Sequence, residues 1–376
     1  MRANKGLAGL IAGDTTISKV DITTNSLWYR GYDINELCAK TSFLEVAYLL
    51  LHEDLPTSSQ LKEFESFERI NRNIPESMYG AFKNMPPHAH PMDLLKIGVS
   101  MLGSFDAENS LGSNTHEQNL RKAMLLLSKM PTVVANSYRI SKGLEPVEPD
   151  SDLSYSENFL SMILGEKTND PLSVKTLDNS LILYAEHGYN ASTFSARVTA
   201  ATLSDLYNAV SSAIGTLKGP LHGGANEQVM YMLQEIETPE RAREYTLKKI
   251  ENKEKIMGFG HRLYRTGDSR TEVIKKLGQQ LAEQKGITKW HEISSIMEET
   301  MIAEKKIYPN LDFPAATAYY LLGIPIELYT PIFAASRITG WAAHILEQHD
   351  DNRLIRPGCE YVGPTARKVK AIDQRV

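Results

Sequence analysis

Helical spacing of apolar residues runs through almost the whole chain, and strand-like alternation is confined to the N-terminal stretches TTISKVD and SLWYRGYDI. In SSQLKEFESFERINRNI one stripe gathers Leu61, Phe64, Phe67, Ile70 and Ile74, with Thr57 or Ser58 placed to cap it. FLEVAYLLLH, PMDLLKIGVSML, LRKAMLLLSKMPTVVANSYRI, ASTFSARVTAATLSDLYNAVSSAIGTL and WHEISSIMEETMIAEKK keep the same period. Strands do not alternate with helices, which argues against a doubly wound α/β sheet, and no fixed-length repeat points to a solenoid. The expected architecture is mostly α with a minor N-terminal β element.

A chain of 376 residues has room for two or three domains. Two crossings stand out: the run 215–224, with four glycines and Pro220, and GIPIELYTP, with Gly323, Pro325 and Pro331. They suggest a small domain, 220–323, inserted into a large one formed by 1–219 and 324–376, with joints able to absorb a hinge motion. Plain helix punctuation is the alternative reading. The apolar stretch FPAATAYYLLGIPIELYTPIFAASRITGWAAHIL is broken by Pro325, Glu327, Pro331 and Arg337, so no span of about 20 apolar residues crosses a membrane. It reads as two buried helices. A net charge of −5 and a pI near 6.1 argue against a nucleic-acid or anionic-membrane partner. With only Cys38 and Cys359, no disulfide framework is expected, and a cytoplasmic location is the default.

Several familiar motifs fail. GFGHRL starts like a dinucleotide fingerprint, but Leu263 stands where the third glycine belongs. HEISS lacks the second histidine of a zinc helix, and the HAH at 88–90 sits among prolines, so no metal is expected. Three segments survive. GPLHGGAN holds His222, KIMGFGHRLYRTGDSR holds His261, and YPNLDFPAATAYYLLGIP holds Asp312 just ahead of an apolar helix. Each has a bland reading: His222 as a helix cap, His261 as a loop histidine, Asp312 as an N-cap. Glycine neighbours let a ligand approach the backbone closely, and two histidines with one carboxylate make a workable acid–base set.

These three segments, in this order, resemble the citrate synthase family. The resemblance extends to GLAGLIAGDTTIS, YRGYDI, EVAYLLLH, PPHAHPMD, NASTFSARV, AASRITGW and IRPGCEYVGP, almost the whole chain. It implies a mostly helical homodimer that condenses oxaloacetate with an acyl-CoA, acetyl-CoA or propionyl-CoA, and then hydrolyses the thioester. It also implies acyl-CoA as co-substrate with no tightly bound cofactor. Asp312 matches the family's base, His222 its donor to the thioester oxygen, and His261 its donor to the oxaloacetate carbonyl. A helix dipole behind His222 would favour the neutral ring. His187, Arg270, Arg337 and Arg356 match the oxaloacetate contacts, with Arg356 reaching the partner subunit's site. Lys255, Met257, Gly258, Phe259, Gly260 and Arg265 match the coenzyme A loop, whereas Lys248, Lys249 and Lys253 read as a solvated helix end. Two departures are visible: HGYN has Gly188 where relatives often carry Glu, and Gly358–Cys359 stand where many carry a basic residue.

Overall fold

The computed structural model describes residues 5–7, 9–109, 112, 114–264 and 267–375. Among them a three-stranded antiparallel sheet, β1 (Ser18–Asp21), β2 (Ser26–Tyr29) and β3 (Tyr32–Asp33), precedes sixteen α-helices. Its order is β1-β2-β3, with Ser18 opposite Tyr29 and Trp28 opposite Asp33. The first eight helices are α1 (Ile34–Lys40), α2 (Phe43–His52), α3 (Ser58–Ile70), α4 (Glu76–Lys83), α5 (Pro91–Phe105), α6 (His116–Ser141), α7 (Tyr155–Leu164) and α8 (Pro171–Tyr184). Then come α9 (Ala191–Ala200), α10 (Leu206–Leu217), α11 (Ala225–Ile236), α12 (Pro239–Glu251), α13 (Thr271–Lys285), α14 (Lys289–Lys305), α15 (Asp312–Leu321) and α16 (Tyr329–Asp350).

Local sequence sets the helix starts. Ser42 with Glu45, Thr57 with Gln60, Thr115 with Gln118 and Ser154 with Glu157 form reciprocal capping boxes that satisfy otherwise orphaned N–H groups. His90 of the HAH motif caps α5 through the Met92 N–H, ahead of Pro91 at the first helical position. The α3 stripe is shorter than its pattern suggests. The helix ends at Ile70, which is 74% exposed, and Ile74 packs from the following loop. Glu68 takes the buried place, because Arg72 folds back onto it at 2.7 Å and also donates to the Leu153 carbonyl at 3.1 Å.

The long apolar stretch resolves into α15 and α16, joined by a single 3-10 turn at Ile326–Leu328. α16 is buried almost throughout and forms the central post, packed against α2, α6, α8, α9 and α10. Gly340 lets it press onto the Ala185–Glu186 backbone, where any Cβ would collide. No helix among the described residues is long and apolar enough to cross a membrane. Helices α11 to α15 pack mainly on one another and meet the rest through α8 and α16. The chain enters this group through the turn at 218–224 and leaves past Gly323, which has φ +78°.

Candidate active site

His222 lies in the turn between α10 and α11. The turn is tight: the Gly223 N–H bonds the Leu217 carbonyl at 2.9 Å, and a Cβ on Gly223 would meet Leu217 Cγ at 2.5 Å. Gly224 occupies the N-cap of α11 without any side-chain cap, so His222 does not cap that helix. Its Nε2 instead faces Ser192, 2.8 Å from the hydroxyl and 3.3 Å from the backbone N–H. Ser192 is held in turn by the Trp341 indole N–H at 3.1 Å. A backbone N–H can only donate, so Nε2 accepts and the neutral ring carries its proton on Nδ1. Burial, then the nearby Arg337 guanidinium, press the His222 pKa down to about 4. Desolvation leads in keeping this ring uncharged.

His261 shows the opposite tautomer. Its Nδ1 accepts the backbone N–H groups of Leu263 at 3.1 Å and Tyr264 at 3.2 Å, which leaves the proton on Nε2. Burial, then Arg270, lower its pKa to about 4. Its ring stands edge-on to His187 at 5.0 Å and near Tyr264 at 4.7 Å. His187 is buried, and its Nε2 has no hydrogen-bond partner among the described residues. Burial, Arg270, His261 and Arg337 hold it well below the ordinary histidine range.

Asp312 opens α15, but the N-cap position belongs to Leu311, and the carboxylate is not a cap. Its Oδ1 accepts the Tyr184 hydroxyl at 2.8 Å. Burial raises its pKa to about 6, against the pull of Tyr184, Arg270 and Arg337. Arg270 is gripped by Asp268 through Nε at 2.9 Å and Nη2 at 2.7 Å, and Asp268 also takes the Leu311 N–H at 3.2 Å. Burial alone would lower the Arg270 pKa, but Asp268 raises it above the ordinary arginine value. Arg337 spends only Nε on the protein, donating to the Tyr184 carbonyl at 2.6 Å; its Nη atoms bond no other described residue. Burial lowers its pKa to about 10, although Glu186 works against that. Its guanidinium lies 4.7 Å from the centre of the Phe333 ring, which also packs on Tyr184 at 4.3 Å and faces His222 at 6.4 Å. His187, His222, His261, Arg270, Arg337 and Asp312 therefore form one cluster.

The proposed coenzyme loop lies beside this cluster. Gly258 and Gly260 both have φ +80°, and a Cβ on Gly258 would meet Val229 at 2.7 Å and Phe313 at 2.9 Å. The Gly260 N–H bonds the Tyr308 carbonyl at 2.8 Å, and the Asn310 N–H bonds the Gly258 carbonyl at 2.9 Å. Phe259 packs at a tilt against Phe313 at 4.5 Å, Met257 packs on the core, and Lys255 is exposed. Arg265 lies outside the described residues. Arg356 is not brought to the cluster within this chain: it sits exposed on the C-terminal segment and bonds no other described residue.

Sequence reasoning missed Tyr184, Ser192, Asp268, Phe333 and Trp341. Only Asp268 carried a signal, two positions before Arg270. The HGYN departure has a structural counterpart in the residue before His187. Glu186 is buried, and its Oε1 takes the His344 Nε2 at 2.9 Å, the Ser18 hydroxyl at 2.9 Å and the Gly188 N–H at 2.5 Å. Gly188 makes this turn at φ +58°. Arg337 bonds a backbone carbonyl and no carboxylate among the described residues, with Glu186 acting on it through charge. Among the described residues, no group of three or more His, Cys, Asp or Glu is arranged to hold a metal ion.

The family model described as "Citrate synthase, C-terminal domain" matches residues 6–358. A citrate synthase of Mycolicibacterium smegmatis is 48% identical, covering 98% of this chain and 97% of that protein. The 2-methylcitrate synthase 2 of Corynebacterium glutamicum is 45% identical over 99% of this chain and 97% of its own length. A citrate synthase from Thermoplasma acidophilum, solved as a ternary complex with carboxymethyl coenzyme A and oxaloacetate, superposes with a TM-score of 0.93 at 31% identity, covering 99% of both chains. The chain belongs to the citrate synthase family.

Proposed function

We propose that this chain condenses acetyl-CoA with oxaloacetate and water to give citrate and free coenzyme A, as an acyltransferase of its family. The observation that carries the reading is a half-buried carboxylate with one oxygen unpartnered among the described residues, set in one cluster with two neutral histidines of opposite tautomer. Asp312 Oδ2 takes a proton from the acyl methyl group, and the electron pair of the broken C–H bond moves into the enol(ate). His222 Nδ1–H donates to the thioester oxygen where that charge develops; such a donor contributes roughly 100- to 1,000-fold to turnover in another enzyme. The enol carbon then attacks the keto carbon of oxaloacetate, and the new alkoxide takes the His261 Nε2 proton. Water finally cleaves the thioester, releasing the coenzyme thiol.

Arg270 and Arg337, with the partner subunit's Arg356, would clamp the two carboxylates of oxaloacetate, and His187 would offer its free Nε2. Lys255, Met257, Gly258, Phe259, Gly260 and Arg265 would receive the coenzyme. In this reading the protein is a cytoplasmic homodimer, and 220–323 is a small domain that closes over oxaloacetate and completes the thioester site. The mutual packing of α11 to α15 supports that division. The second reading, 2-methylcitrate synthesis from propionyl-CoA, is favoured by relatives of that name at similar identity. One extra methylene is worth only about 1–3 kcal/mol in an apolar pocket.

The test is release of free thiol from acetyl-CoA and from propionyl-CoA in the presence of oxaloacetate. A higher kcat/KM with acetyl-CoA supports the first reading, and a preference for propionyl-CoA supports the second. Asp312→Ala should abolish release from both donors; full turnover in that variant would remove Asp312 as the base.

A further inference from the structure

Tyr184 ends α8 within the run LILYAEH, where its type and place read as core. Its hydroxyl, ring and backbone each engage a different part of the cluster. The hydroxyl donates to Asp312 Oδ1 at 2.8 Å. The ring packs on Phe333 at 4.3 Å, and Phe333 neighbours both the Arg337 guanidinium and the His222 ring. The backbone carbonyl accepts the Arg337 Nε–H at 2.6 Å. Asp312 opens α15, whereas Tyr184 and Arg337 belong to α8 and α16, so the hydroxyl ties the group α11 to α15 to the rest while the carbonyl joins α8 to α16.

We propose that Tyr184 is a positioning residue for proton abstraction: its hydroxyl fixes Asp312 Oδ1 so that Oδ2 is left for the acyl donor, while its carbonyl holds Arg337 at a set distance from that base. The inference rests on the proposed role of Asp312. A buried hydroxyl bonded to a carboxylate stays protonated and remains a donor: burial and then Asp312 itself push the Tyr184 pKa well up. The other charged or titratable groups facing Asp312 are Asp268 and Arg270 from the segment before α13, and Arg337 from α16. Tyr319, on the same helix as Asp312, feels its charge but spends its hydroxyl on Ser180 at 2.5 Å. Tyr184 is thus the only one of these groups that hydrogen-bonds the Asp312 carboxylate among the described residues.

Tyr184→Phe removes the hydroxyl and keeps both the ring and the carbonyl. A hydrogen bond to a charged group is worth about 1.5–3 kcal/mol, so kcat should fall roughly 10- to 100-fold. A donor to the ionised form lowers a carboxyl pKa, so its loss should move the acid limb of the kcat profile to higher pH. The KM for oxaloacetate should stay unchanged, because Arg337 keeps its anchor. The primary isotope effect with deuterated acetyl-CoA should rise as C–H cleavage becomes more rate-limiting. Tyr319→Phe, matched in burial, should leave the acid limb where it is. An unmoved limb in Tyr184→Phe, whatever its kcat, overturns the proposal, as does an equal shift in both variants. Wild-type protein that releases no thiol from either donor defeats the functional reading itself, before any variant is compared.

Discussion

Asp312 must be ionised to act as a base, yet it must hold a proton well enough to take one from carbon. Burial supplies the second property by raising the carboxyl to about 6, while Tyr184, Arg270 and Arg337 keep it from rising further. His222 and His261, both near 4, remain neutral across the range in which Asp312 titrates. The sign follows directly: protonation as the pH falls through 6 removes the base, and no other residue of the trio changes charge there. The expected profile of kcat/KM for acyl-CoA has an acid limb near pH 6 with unit slope, roughly tenfold below its plateau at pH 5. A flat profile from pH 7 to 5 would contradict it. Glycine-rich flanks set the two histidines apart in the sequence, whereas Asp312, just ahead of an apolar helix, stood out only in combination with them and through the family resemblance. The groups that tune them were hidden, because a tyrosine, a serine and a tryptophan within apolar helices look the same whether they pack or position.

The elements carrying these residues were easier to read than their junctions. Capping residues such as Thr57 and Ser42 mark helix starts by chemistry alone, whereas the end of α3 depended on the Glu68–Arg72 pair, a tertiary contact that periodicity does not encode. The loop 255–260 shows what a junction demands. Gly258 combines φ +80° with close approach to Val229 of α11 and Phe313 of α15. Gly258→Ala should cost about 1–3 kcal/mol in stability, read as a lower melting temperature. Because Phe313 adjoins Asp312, the same change should also raise the KM for acyl-CoA and lower kcat roughly tenfold. Wild-type kinetics in that variant would separate the loop from the site.

At the scale of the whole molecule, the cluster lacks Arg356, which lies on an exposed C-terminal segment. The proposed homodimer supplies it from the partner subunit, and complementation tests that arrangement. Arg356→Ala and Arg270→Ala should each raise the KM for oxaloacetate at least about tenfold, with the sedimentation coefficient unchanged. A mixed dimer of the two variants would contain one site with both arginines intact. Random reassociation should therefore restore about a quarter of wild-type activity, whereas two arginines acting within one chain would give no recovery. The glycine and proline crossings suggested the proposed domain division, whereas a place for Arg356 in the partner subunit's site came only from the family resemblance, because nothing in its exposed surroundings marks it.

The backbone stitching between 258–260 and 308–310 bears on which thioesters such a catalyst would accept in a crowded cell. The nucleotide of coenzyme A takes no part in making or breaking bonds, yet in the proposed arrangement it rests on 257–260, whose backbone is bonded to the segment 308–310 that leads into Asp312. It would serve as a password read remotely from the reaction. A short thioester with the right acyl group but no nucleotide would still find the base held by Tyr184, yet it would lose that remote hold and be accepted poorly although its reacting carbon is identical.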